Sequence, residues 1–327
     1  MTFRPWQEAW REALYGPGGF YRRPEGPGGH FRTAATASGR GLLGAAVARL
    51  ARVVGCSAVV DVGAGRGELL RAVHGADPEL RCTGVDVVDR PPGLPGEVGW
   101  ARDVPEPEEP TLLVGWELLD VVPAPVLEVD AHGSPRVVLV APDGTERLGG
   151  EPDAADLAWC ERWWPPGPPG SRIEVGRTRD DAWARLVDRL AGVGGLALAV
   201  DYGHDLATRP STGSLTGYRG GRQVRPVPDG GCDITAHVAL DAVAAVRPAA
   251  VRLRQTEALR RLGVSAARPE PGEARRDPMD YLAALAAAGE AAELLDPGSL
   301  GGFGWVLHPV GPPAEQSITR WTSDAAP

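Results

Sequence analysis

Short β-branched apolar runs that end in glycine or an acid alternate along this chain with stretches of helical periodicity. Val59, Val60 and Val62 predict a buried strand that stops at Gly63; Gly65 and Gly67 follow at alternate positions, and Glu68–Val73 resumes as a helix. Leu80–Asp86 (LRCTGVD), Val98–Arg102, Thr111–Trp116 and Leu196–Val200 predict further strands. Helices are expected at Pro5–Leu14, where Trp6, Trp10 and Leu14 recur every fourth residue, and at Ala45–Val54, Asp180–Ala191, Gln255–Leu262 and Pro278–Leu295. Pro125–Val129 and Arg136–Ala141 flank a turn and predict a hairpin. GGCDITAHV reads as a helix start, with Asp233 or Thr235 as its cap. Pro248–Leu253 and Phe303–Val310 are closing strands, and the polar stretch after Pro312 is expected to fray.

The stretch SAVVDVGAGRGE (57–68) is the centre of this pattern. A strand, a glycine turn and a helix bring main-chain N–H groups close to a ligand, because glycine has no Cβ and tolerates positive φ. Dinucleotide sites favour G-x-G-x-x-G, but here the third glycine is Gly67 and the expected place holds Glu68. An acid beside a diphosphate is repelled, so the spacing favours a ligand with a zwitterionic amino-acid end, S-adenosylmethionine. Asp61, Gly63, Ala64, Gly65 and Gly67 are the candidate cofactor residues of this turn. Asp86 lies 19 residues after Gly67, where a carboxylate takes a ribose diol. Asp103, after the third strand, is a candidate for the adenine amino group. A turn with no ligand is the plain alternative.

The candidate reacting groups also stand at strand ends, where open parallel sheets bind ligands. Glu117 and Asp120 follow the fourth strand and share one face if a helical turn starts there. Asp201 and Tyr202 follow the strand LALAV. His204 reads as an ordinary hydrogen-bonding loop residue.

Composition narrows the partners. The 327 residues carry a net charge of −9, which argues against sequence-independent nucleic-acid binding. All 34 basic residues are arginine. Cys56, Cys82, Cys160 and Cys232 stand singly, so no zinc or redox dithiol motif is indicated. No apolar run is long enough to span a bilayer, and a cytoplasmic protein without membrane contact is expected. Aromatics crowd the first 33 residues, with the loops YGPGGFY and PEGPGGHFRT reading either as a lid or as a packed cap.

LYGPGGFY, HFRTAATAS, DVGAGRGE, WELLDVVP, AVDYGH, GYRGGR, DITAHV and GGFGWVLHPV occur in an order that resembles the MidA-like methyltransferase family, which includes a mitochondrial assembly factor of respiratory complex I. The resemblance implies a class I S-adenosylmethionine-dependent α/β fold, with a mixed seven-stranded sheet, helices on both faces and inserted elements. The chain is expected to divide into an aromatic, Gly/Pro-rich cap over residues 1–44, a methyltransferase domain over 45–312 with an insertion around 142–180 and helical elements around 233–296, and a tail over 313–327. The resemblance also implies a protein substrate methylated on an arginine nitrogen. Glu117, Asp120 and Pro123 match the family's acidic block, but Trp116 stands where that block has asparagine. Two other readings remain open: a catalytically inactive fold kept as a binding or assembly factor, and an NAD-dependent oxidoreductase.

Overall fold

The computed structural model describes residues 2–23 and 41–323. The PEGPGGHFRT loop and the HFRTAATAS block lie wholly or almost wholly outside them. In chain order the larger elements are α1 (Trp6–Tyr15), α2 (Leu42–Val54), β1 (Ala58–Val62), α3 (Glu68–Ala76), β2 (Arg81–Val85), β3 (Gly99–Ala101) and β4 (Thr111–Trp116). Then come β5 (Val126–Val129), β6 (Pro135–Val140), β7 (Glu146–Leu148), α4 (Ala154–Trp163), β8 (Arg172–Glu174), α5 (Arg177–Asp188) and β9 (Gly195–Asp201). The remainder holds β10 (Thr216–Arg219), β11 (Arg222–Val224), β12 (Asp233–Thr235), α6 (Leu240–Ala244), β13 (Val251–Arg254), α7 (Gln255–Arg261), α8 (Pro278–Leu295), β14 (Gly304–Val310) and α9 (Pro312–Ser323).

The chain divides into two compact units. One, built from residues 41–116, 187–200 and 249–323, contains a mixed seven-stranded sheet of order β13-β14-β9-β4-β1-β2-β3. Its centre is parallel: β1 pairs with β2 and β4, and β9 with β4. β13 and β14 are antiparallel. Chain order runs outward from β1 through β2 to β3, then returns to β4 on the other side of β1. That reversal opens a crevice at the carboxyl ends of β1 and β4, where ligands of such sheets bind. Val59, Leu112, Leu113, Val114, Leu196 and Leu198 are fully buried, as strands covered on both faces require.

The C-terminal segment corrects the expectation of a frayed tail. Pro312–Ser323 is a helix, and Ala314 and Ile318, four residues apart, are buried. A prolyl start suits the first turn, where the missing N–H would have no partner.

The other unit comprises residues 2–23, 117–186 and 201–248. The hairpin expected around AHGS forms as β5 and β6, which β8 and β7 extend. β10 pairs with β11 across the Gly220–Gly221 turn and with β12 on its other side. The apolar face of α1 packs Trp6, Trp10 and Leu14 against Val126, Val138, Val140 and Ile234, and Phe20 joins the same core. The YGPGGFY loop is therefore packed at its aromatic end. DITAHV corrects a second expectation. Asp233 and Thr235 lie in a strand, and the helix begins only at Leu240 with no side-chain cap. Alternation along β12 puts Asp233 and Thr235 on one face and Ile234 on the other.

Candidate functional site

In the sheet unit, the turn after β1 is tied to the end of β2. Gly63 and Ala64 donate their N–H groups to the Val85 carbonyl at 2.8 and 3.2 Å. Gly65 donates to Oδ2 of Asp86 at 2.8 Å, and Oδ1 of Asp86 accepts from Val88 at 3.2 Å. Gly63, Gly65 and Gly67 have φ of 79°, 57° and 72°, the left-handed region that side chains disfavour. Gly67 ends the turn as the residue before α3, which starts at Glu68. A Cβ on Gly67 would lie 2.8 Å from Leu94 Cδ1, whereas a Cβ on Gly65 would meet nothing within 4 Å. Among the described residues, space beside Gly65 is open, and α3 follows with no side-chain cap at its N-terminus.

Asp61, Glu68 and Asp86 stand at this turn. Asp61 is buried in β1, opposite Gly84 and Val114. Burial first, then the charges of Asp86 and Glu68, push its carboxyl up to about 7. Burial also raises Asp86, against the pull of its main-chain donors. Asp103, the expected adenine contact, stands exposed two residues beyond β3.

The second group of candidates lies in the other unit. Glu117 follows β4 with φ of 50° and is half-buried. No helix starts there. A single turn closes between Leu119 and Val122, so Glu117 and Asp120 do not share a helical face. Asp120 is buried; its Oδ2 accepts from Tyr202 Oη and from Thr235 Oγ1, the latter at 2.6 Å. Among the described residues, its Oδ1 is buried with no hydrogen-bond partner. Asp201, fully buried, accepts the N–H groups of Leu119 (2.9 Å) and Asp120 (3.2 Å) on Oδ2 and that of Tyr202 (3.1 Å) on Oδ1. Its carboxyl is raised well above the usual range by burial, then by the charges of Asp120 and Glu117. The Tyr202 phenol is raised likewise, so it stays a donor to Asp120.

Three residues here escaped the sequence reading. Arg179, on α5, is buried and donates to four main-chain carbonyls, those of Asp120 (2.8 Å), Val122 (3.1 Å), Ala236 (3.1 Å) and His237 (3.0 Å). In a chain rich in arginine nothing in the sequence marks it. Thr235 and Asp233 were hidden by the helix-cap reading; the D-x-T alternation was the signal available. Asp233 accepts from Tyr21 Oη at 3.0 Å. His204 is a hydrogen-bonding residue as expected, with Nδ1 2.6 Å from Arg209 Nη1. Burial, then the charges of Arg209 and His237, lower it to about 3.

A family described as "Putative S-adenosyl-L-methionine-dependent methyltransferase" matches residues 76–256, more than half of the chain. The chain belongs to this family. It is thus a methyltransferase, and its cofactor is S-adenosyl-L-methionine. Two crystal structures from Burkholderia thailandensis share the methyltransferase's fold. One is a COG1565 superfamily member bound to S-adenosyl-homocysteine, 23% identical, with a TM-score of 0.73 over 93% of this chain and 87% of that one. The other, an uncharacterised protein of the same superfamily, is 24% identical, with a TM-score of 0.73 over 96% of this chain and 90% of that one. A search of the curated proteins returns no match.

The residues present fit that cofactor. Among the described residues, the open space beside Gly65, the N-terminal turn of α3, which has no side-chain cap, and the Asp86 carboxylate supply donors and an acceptor in the sheet's crevice. The charges of Asp86 and Glu68 help raise the Asp61 carboxyl, so positive charge beside it is favoured. The adenosyl ligand brings a sulfonium and an ammonium, while a dinucleotide would add two phosphates to the same acids. The oxidoreductase reading is set aside on these grounds.

Proposed function

We propose that this methyltransferase acts on a protein side chain, at an arginine nitrogen. The observation that carries the reading is Asp120 Oδ1, an acceptor buried without a partner beside two further carboxylates, Glu117 and Asp201. Arg179 lends Asp120 its charge from nearby, but it donates to main-chain carbonyls and not to that oxygen. A substrate guanidinium meets that need: it offers planar donors and a permanent charge, with a pKa above about 12. The order of the WELLDVVP, AVDYGH and DITAHV blocks, similar to that of the MidA-like family, supports the same acceptor.

In this account Glu117 and Asp120 orient the guanidinium and hold its charge while one nitrogen attacks. Asp201 shapes the turn that carries Asp120 by gathering three N–H groups, and Tyr202 fixes the Asp120 carboxylate from the other side. Gly63–Gly67 with Asp61 and Asp86 hold the cofactor; Asp103 contacts its adenine. The bound cofactor supplies a methyl group already activated on sulfur, so the protein's work is positioning and exclusion of water. The nitrogen would take the methyl as the cofactor's carbon–sulfur bond breaks, and its proton would pass to the facing carboxylates and on to water.

The test is incubation of the protein and a cell extract with methyl-labelled S-adenosylmethionine, followed by identification of the labelled residue. Label on an arginine of a protein, abolished by Glu117→Gln with cofactor binding intact, is expected. Label on a small molecule or another side chain, or no label at all while the cofactor binds, would overturn the proposal.

A further inference from the structure

A polar cavity of about 130 Å³ opens between β7, β8 and the segment around Leu215 and Arg225. Strand alternation places Arg172 and Glu174, two residues apart on β8, on one face. Arg172 is spent on Glu146: Nη1 donates to Oε2 at 2.8 Å and Nη2 to Oε1 at 3.0 Å. Trp6 Nε1 donates to the same Glu146 carboxylate. Glu174 is 2% exposed. Its Oε2 accepts both the N–H and the hydroxyl of Ser214, at 2.9 Å each, but its Oε1 is buried without a partner among the described residues. Gly213 stands beside that oxygen with φ of 71°, and a Cβ there would lie 2.3 Å from it. Across the lining, Arg225 gives Nη2 to the Gly144 carbonyl, its one hydrogen bond among the described residues.

The charge balance decides what can enter. Arg172 and Glu146 neutralise one another, leaving one carboxylate oxygen and one guanidinium with donors to spare. Arg225 is exposed and its charge also acts on Glu146 and Asp143, so a simple cation would be opposed by Arg225 and Arg172, and a simple anion by Glu174. A ligand with both charges answers both groups through charge-assisted hydrogen bonds. Leu215 and Pro226 give an apolar wall, and the volume admits only a short side chain. We propose that this cavity binds a small free α-amino acid, its ammonium on Glu174 and its carboxylate on Arg225. The site is separate from the proposed acceptor group and does not rest on the arginine reading.

The experiment is calorimetric titration of the full chain with glycine, alanine, glycinamide and acetate. S-adenosylhomocysteine is kept saturating, so that the cofactor's own amino-acid end occupies its place. Saturable binding of glycine or alanine, at least about tenfold tighter than glycinamide or acetate and weakened as much by Glu174→Gln or Arg225→Gln, is expected from the loss of one charge-assisted contact. No saturable binding by either amino acid would overturn the proposal, as would equal binding of acetate or glycinamide, or affinity unchanged in both variants.

Discussion

The main-chain N–H of Gly65 donates to Oδ2 of Asp86 at 2.8 Å, joining the carboxyl ends of two neighbouring parallel strands. The bond holds the carboxylate at the edge of the glycine turn before any ligand arrives. Asp86→Ala is expected to weaken S-adenosylhomocysteine binding roughly tenfold to hundredfold, the worth of one or two hydrogen bonds to a charged group. Isothermal calorimetry measures it; unchanged affinity would remove Asp86 from the site.

Two glycines of that turn differ in what surrounds them. Both have positive φ, so alanine at either costs on the order of 1–2 kcal/mol in backbone strain. At Gly67 the new methyl also collides with Leu94, while at Gly65 it enters open space. Gly67→Ala should therefore lose more stability in urea unfolding. Gly65→Ala should lose cofactor affinity out of proportion to its stability.

Tyr202 and Thr235 both serve Asp120. Tyr202→Phe removes one donor and should cost about 1 kcal/mol, whereas Asp120→Ala removes the acceptor shared by two hydroxyls, which lie 2.7 Å apart and keep a bond to each other, and should cost about 1–3 kcal/mol. Because the groups form one network, the double variant should be less destabilised than the sum of the two. Urea midpoints of the three proteins test this.

Asp233 is pushed up to about 7 by burial, then by the charge of Asp120. The folded state thus holds a proton that the unfolded chain releases near pH 4. The stabilisation this gives is complete below the unfolded value and is lost as pH rises to about 7. Asp233→Asn, which keeps an oxygen for Tyr21, should flatten that decline and exceed the wild type in stability at about pH 8. Unfolding curves across that range show whether the slope changes.

Ile318 anchors α9 at 1% exposure. Ile318→Ala should cost about 2–4 kcal/mol, as for other buried aliphatic truncations. A negligible change in thermal unfolding would mean that the helix does not contribute to the sheet unit's stability.

The sheet was legible because its strands are short apolar runs with clear stops: Thr111–Trp116 was expected at the bounds it has, and the others to within a few residues. So was α1, whose indoles recur at helical spacing. Where the sequence misled, local preference and tertiary context disagreed. Asp233 and Thr235 are good cap residues, yet here pairing with β10 and bonds to Tyr21 and Asp120 hold them in a strand. The final segment is polar along most of its length, and two buried positions, Ala314 and Ile318, are too few to signal a helix. Glu117 and Asp120 were located as strand-end acids, but the turn that carries Asp120 depends on Asp201, about eighty residues away in sequence, gathering the N–H groups of Leu119 and Asp120. Arg179 reaches its four carbonyls only through the fold.

The most direct test is titration of the protein with S-adenosylmethionine and with NAD at about pH 6 and about pH 8, since a cationic ligand lowers the raised Asp61 carboxyl and so binds better once it is ionised. The account predicts saturable S-adenosylmethionine binding that tightens with pH in the wild type, loses that pH dependence in Asp61→Asn, and has no NAD counterpart. Binding of NAD, or S-adenosylmethionine affinity that is absent or weakens as pH rises, would contradict it.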